Sequence, residues 1–170
     1  MKRIDDLNKN IDITGEVVSK DLKRVLEKKV NGLKIVNNQK ELKNCNVYII
    51  TVPTPVDKYN NPDLTPLAKA TETVAKLLDK DNYIIYESTV YPGATEEFCV
   101  PIIEKLTKFK LNKQFFCGYS PERINPGDKL HTITKIKKIT SGSNLKSSKF
   151  IDSLYSSIIE AGTYNASSIK

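Results

Sequence analysis

The chain has 170 residues, 39% hydrophobic and 28% charged, an ordinary globular composition for one domain hiding roughly 70% of its unfolded surface. The net charge of +7 favours anionic partners, but the basic residues are scattered and lack interleaved aromatic rings, so a generic solvated lysine-rich surface accounts for the charge, a phosphate-bearing small molecule suits it as well as nucleic acid does, and no nucleic-acid partner is expected. No apolar stretch approaches the ~20 residues that span a bilayer, and Asp5, Asp6 and Asn8 sit where a signal peptide would be apolar, so no membrane partner and a cytoplasmic location are expected.

Residues Lys2 to Leu7 read as helix. Lys20 to Val30 should form a second, with Leu22, Val25 and Leu26 buried, and Leu33-Lys-Ile-Val36 a short strand. From about residue 46 strand and helix alternate. Asn46 to Val52 is β-branched and almost continuously apolar, as in a strand buried on both faces. Thr65 can cap a helix with Pro66 at its first position, and Leu67, Thr71, Val74 and Leu78 mark its inner stripe. Tyr83 to Tyr86 is the next strand. A helix follows from Gly93 or Thr95, with Phe98, Ile102, Ile103 and Leu106 toward the sheet and a kink or late start at Pro101. Gln114 to Gly118 and Lys138 to Ser141 are further strands. The last helix runs from about Ser143 to Ala161, with Phe150, Ile151, Leu154, Tyr155, Ile158 and Ile159 inward. This alternation implies an α/β fold of right-handed βαβ units around a parallel sheet.

Three peptides directly follow strands: Thr51-Val-Pro-Thr-Pro55, Glu87-Ser-Thr-Val-Tyr-Pro-Gly93 and Gly118-Tyr-Ser-Pro-Glu-Arg-Ile-Asn-Pro-Gly127. Loops at the carboxyl ends of neighbouring strands gather at one edge of an open α/β sheet, where ligands bind. The three are therefore expected to meet around one ligand. Prolines stiffen the first loop. Ser88 and Thr89 offer hydroxyls to a cofactor, substrate or water, or cap the next helix. Glu122 can serve as a general base or position a water, or pair with Arg123 at the surface. The seven glycines are isolated, the closest pair nine residues apart, so there is no phosphate-cradling G-x-G-x-x-G turn. The three cysteines and single histidine form no C-x-x-C pair, and no metal site is expected. Cys117 lies inside an apolar strand, where thiols are usually inert, which argues against a nucleophile-base pair with His131.

At these three peptides the chain resembles the UDP-glucose/GDP-mannose dehydrogenase family. Val52-Pro-Thr-Pro55, Tyr86-Glu-Ser-Thr-Val-Tyr-Pro-Gly93 and Gly118 to Gly127 are most similar to its branch acting on UDP-N-acetylhexosamines in capsule, Vi antigen and O-antigen synthesis. Position 126 is Pro where the UDP-glucose branch has a second Glu, and no catalytic role is carried onto it. The resemblance implies an NAD-dependent, four-electron oxidation of C6 from alcohol to carboxylate. It implies that Val52, Pro53, Thr54, Pro55, Ser88, Thr89 and Val90 line the NAD site and that Thr89 helps hold a catalytic water. It assigns acid/base chemistry to Glu122, and sugar-nucleotide contact to Glu122, Arg123, Ile124, Asn125 and Pro126.

The resemblance also implies a partial Rossmann-like, doubly wound sheet over residues 1–170. Its first strand-turn-helix unit, the central helix with its Lys and Asn, the Gly-x-Cys nucleophile loop and the substrate domain lie outside the matched part. The chain alone is then expected to lack dehydrogenase activity and to bind NAD weakly, with a non-catalytic nucleotide-sugar-binding module as the alternative. An exposed sheet flank predicts self-association.

Overall fold

The computed structural model describes residues 2–123 and 133–170; Ile124, Asn125, Pro126, Gly127 and His131 lie outside them. The chain divides into two compact units, residues 1–43 and 44–170.

In the first unit α1 spans Lys2–Asn8 and α2 spans Ser19–Leu26. Leu22 is its buried apolar residue among those described; Val25 and Leu26 are half-buried. Much of the local order comes from Asp12. Its carboxylate accepts the backbone N–H groups of Thr14, Glu16 and Val17 and pairs with Arg3 at 2.7 Å. Those hydrogen bonds, Val17 foremost, hold its pKa well below the usual carboxylate range. The strand expected at Leu33 to Val36 does not form, and Leu33 stays 45% exposed; four residues without a partner strand cannot satisfy their backbone in a ladder.

In the second unit the described strands are β1 Val47–Ile50, β2 Asn82–Tyr86, β3 Phe115–Tyr119, β4 Lys138–Gly142 and β5 Thr163–Asn165, in spatial order β1-β2-β3-β4-β5. The pairs β1–β2, β2–β3 and β4–β5 are parallel, while β3–β4 is antiparallel. The sheet is thus mixed rather than wholly parallel, as is common at the margin of an α/β sheet. The expected α/β class holds. β5 comes as an addition: the last helix, α5, covers only Leu145–Ser156, and Gly162, at φ 77°, turns the chain into this short polar strand.

Helices cover both faces. On one, α3 (Thr65–Ala75) and α4 (Val100–Thr107) pack Leu67, Ala75, Val100 and Ile103 against Tyr48, Ile50, Ile84, Tyr86, Phe115 and Cys117. Full burial of each Leu, Ile, Val or Phe side chain among them stabilises by about 1.5–3 kcal/mol. On the other, α5 packs Ile151 and Tyr155, with Ile159 just beyond it, against Ile85. A Cβ on Gly118 would stand 2.2 Å from Ile151 Cδ1 and 2.9 Å from Ser141 O, so glycine in β3 lets α5 approach.

Several local expectations change. Thr65 is the first residue of α3, and the capping oxygen comes from Asp63, which accepts the Thr65 N–H at 2.9 Å. A π-helical turn, Thr95–Cys99, precedes α4, so Pro101 sits in the first turn of a late-starting helix, where its missing N–H costs nothing. This winding shift leaves Leu106 48% exposed. Phe150 and Ile158 also stay outside the core, and Phe150 stacks on Tyr83 with ring centroids 4.2 Å apart.

Candidate active site

The register aligns the carboxyl ends of three strands. Ile50 lies beside Tyr86, and Tyr86 beside Tyr119. The ladder then runs on past the strands: Glu87 N–H donates to Ile50 O at 2.9 Å, Ser120 N–H to Tyr86 O at 3.0 Å, and Glu122 N–H to Glu87 O at 3.1 Å. These bonds carry the three strand-end peptides into one cleft of about 350 Å³, lined by Thr51, Val52, Pro53, Thr54, Glu87, Ser88, Thr89 and Glu122. Pro55, Val90 and Arg123 are not among its lining residues.

Within the cleft the hydroxyls differ. Ser88 Oγ donates to Val52 O at 2.6 Å, so its proton cross-links two loops. Thr89 is exposed. Thr54 Oγ1 is buried and has no hydrogen-bond partner among the described residues, although buried polar atoms are nearly always paired. An orphaned hydroxyl in a cleft wall fits a ligand that brings its own hydrogen-bonding group. A larger cavity, about 460 Å³ at the amino end of α5, is a weaker candidate because its polar side chains satisfy one another, as where Ser148 Oγ donates to Asn165 Oδ1 at 2.6 Å.

Beneath the cleft lies a charge cluster that the residue patterns did not disclose. Lys138 Nζ stands 3.1 Å from Glu87 Oε2 and 3.4 Å from Glu122 Oε2. The lysine side chain is 5% exposed, that of Glu87 10% and that of Glu122 37%. Tyr155 donates its hydroxyl to Glu87 Oε1. Burial first, then this bond and the Glu87 charge, push the phenol pKa far above its ordinary value. Glu122 therefore pairs with Lys138, while Arg123 meets it through its backbone N–H, which donates to Oε1 at 2.6 Å. The one available signal was Lys138 alternating with Thr140 along a strand, among 27 basic residues.

The two buried thiols are far from nucleophilic. Burial pushes Cys99 up to about 11 and Cys117 higher still, and Cys45 is exposed.

Residues 1–159 match the NAD binding domain of the UDP-glucose/GDP-mannose dehydrogenase family. The chain belongs to that family. Its relatives within it include the UDP-N-acetyl-D-glucosamine 6-dehydrogenases of Pseudomonas aeruginosa, 54% identical over 168 residues, and of Salmonella typhi, 50% identical over 169. Each alignment covers 99% of this chain, which spans 39% of the relative's length. Among solved structures, the UDP-D-ManNAc dehydrogenase of Pyrococcus horikoshii superposes with a TM-score of 0.88 at 30% identity, over 99% of this chain and 40% of that one. The dehydrogenase family membership agrees with the cleft at the carboxyl edge of the sheet, and no helix among the described residues is long and apolar enough to cross a membrane.

Proposed function

We propose that the chain forms part of an NAD-dependent UDP-N-acetylhexosamine 6-dehydrogenase that oxidises C6 from alcohol to carboxylate for surface polysaccharide. The observation that carries this reading is the convergence of Val52 to Thr54, Ser88, Thr89 and Glu122 on one cleft. NAD, when bound, supplies the hydride acceptor. Val52, Pro53, Thr54, Pro55, Ser88, Thr89 and Val90 hold it, with the unpartnered Thr54 hydroxyl as a ready hydrogen-bonding group. The exposed Thr89 hydroxyl holds a water. The Glu122 carboxylate exchanges a proton with the substrate alcohol or that water, and Arg123, with Ile124, Asn125 and Pro126 beyond the described residues, contacts the sugar nucleotide.

The raised thiols of Cys99 and Cys117 suit no covalent step. Purified chain mixed with NAD and UDP-N-acetylglucosamine is expected to form no NADH. Amide NMR titration with millimolar nicotinamide mononucleotide and, separately, UDP-N-acetylglucosamine tests the site. Shifts are expected at Val52, Thr54, Ser88, Thr89 and Glu122; responses confined to other residues overturn the reading. Among the described strands β1 lies at a margin of the sheet, and an edge strand favours self-association, which light scattering checks.

A further inference from the structure

We propose that Lys138 is the positioning residue for Glu122, the anchor that fixes its carboxylate in the cleft wall; this rests on the functional reading above. An ammonium has three N–H donors. Lys138 meets three acceptors: Glu87 Oε2 at 3.1 Å, Glu122 Oε2 at 3.4 Å and Pro121 O at 3.5 Å. Glu87 is itself held, because its other oxygen accepts the Tyr155 hydroxyl. Tyr155 also presents its ring 5.6 Å from the ammonium. The anchor is rigid from below and loose above: Glu87 and Lys138 are buried, whereas Glu122 reaches out to the lining of the cleft.

Charge explains why the carboxylate stays there. The buried lysine stands between two carboxylates and offsets their charge at the edge where solvent and ligand meet Glu122. With Lys138 absent, Glu87 and Glu122 would repel each other across the cleft floor. Lys138 reaches this place because β4 runs antiparallel to β3. That reversal brings the first residue of β4 to the edge where β1, β2 and β3 end.

The test has two arms on the 170-residue chain. In the ligand-free arm, scalar couplings across hydrogen bonds are measured from the Lys138 ¹⁵Nζ to the carboxylate ¹³Cδ of Glu87 and Glu122. Both couplings are expected, and Glu122→Gln should abolish one and keep the other. Absence of coupling to Glu122 in the unmodified chain overturns the proposal. In the ligand arm, UDP-N-acetylglucosamine is titrated into Lys138→Met, Lys138→Arg, Tyr155→Phe and Glu122→Gln. Lys138→Met should weaken binding about tenfold, Lys138→Arg should recover most of it, and Lys138→Met with Glu122→Gln should be no weaker than either alone, because the two act as one unit. Additive losses, or a lowered melting temperature with unchanged affinity, reduce Lys138 to a structural role and overturn the proposal. Should Lys138→Met not fold, Tyr155→Phe and Lys138→Arg carry this arm. If the unmodified chain responds to neither ligand, the functional reading fails, and the couplings alone decide the positioning claim.

Discussion

Two buried tyrosines show how differently the two faces of the sheet are built. Tyr86 is 1% exposed and Tyr155 2%. Tyr86 points to the α3–α4 side, among Ile84, Ile103 and Phe115, and shares a neutral hydrogen bond of 3.2 Å with Thr71. Tyr155 points from α5 toward the sheet and donates to an ionised glutamate that faces a lysine. The first face is apolar apart from neutral hydroxyl contacts, among them the Tyr86–Thr71 pair and the Tyr48 hydroxyl that donates to Leu77 O. The second has four buried apolar residues in its cluster, Ile85, Ile151, Tyr155 and Ile159, and places buried charge directly under the cleft. A buried ion pair seldom stabilises a fold beyond an apolar replacement of the same shape. The second face is therefore organised around the cleft, and the first around cohesion.

Substitutions on the two faces should separate these roles. Lys138→Met leaves two carboxylates without their cation and should cost about 3–5 kcal/mol in denaturant unfolding. Glu87→Leu, Lys138→Met and Tyr155→Phe together should recover most of that loss; failure to recover would mean that the cluster stabilises the fold in its own right. On the apolar face Ile103→Ala should cost about 2–5 kcal/mol through cavity formation, with no change in the Lys138 couplings.

A smaller contrast comes from the tyrosines themselves. Tyr155→Phe should cost about 1.5–3 kcal/mol because a charged acceptor loses its donor, and Tyr86→Phe about 0.5–1.5 kcal/mol. Equal costs would erase the distinction between the faces. Alkaline titration offers the mildest probe. Both phenols are raised, Tyr86 by burial and Tyr155 by burial and then by its Glu87 bond. A folded phenol pKa above the unfolded value of ~10 contributes stability that is complete below about pH 10 and is lost as pH rises through the folded value. Absorbance at alkaline pH should show Tyr86 and Tyr155 ionising only with unfolding. Tyr155→Phe should flatten the alkaline loss of stability.

What the residues disclose in advance follows from how locally each feature is encoded. Strands β1, β2 and β3 were legible because Val47 to Ile50, Tyr83 to Tyr86 and Phe115 to Cys117 are apolar runs between turn residues. The three strand-end peptides were legible as neighbours because a parallel register puts carboxyl ends together. β5 was not, since Thr163-Tyr-Asn165 has no apolar pattern and forms by pairing with β4. The direction of β4 was equally hidden, because Lys138-Ile-Thr-Ser141 reads the same in either sense. Of the site, Thr54, Thr89 and Glu122 could be named from their loops. Glu87 stood in a quoted motif without a role, and Lys138 and Tyr155 stood in a strand and a helix whose partners only the three-dimensional arrangement reveals.

The antiparallel reversal of β4 has a consequence for how the domain tolerates change. Lys138 owes its place to pairing: its strand lies between β3 and β5, with Gly142 opposite Gly118 and Lys138 opposite Thr163. Sequence changes that leave β3, β4 and β5 paired should therefore keep the cation at the cleft floor in its place on the sheet lattice.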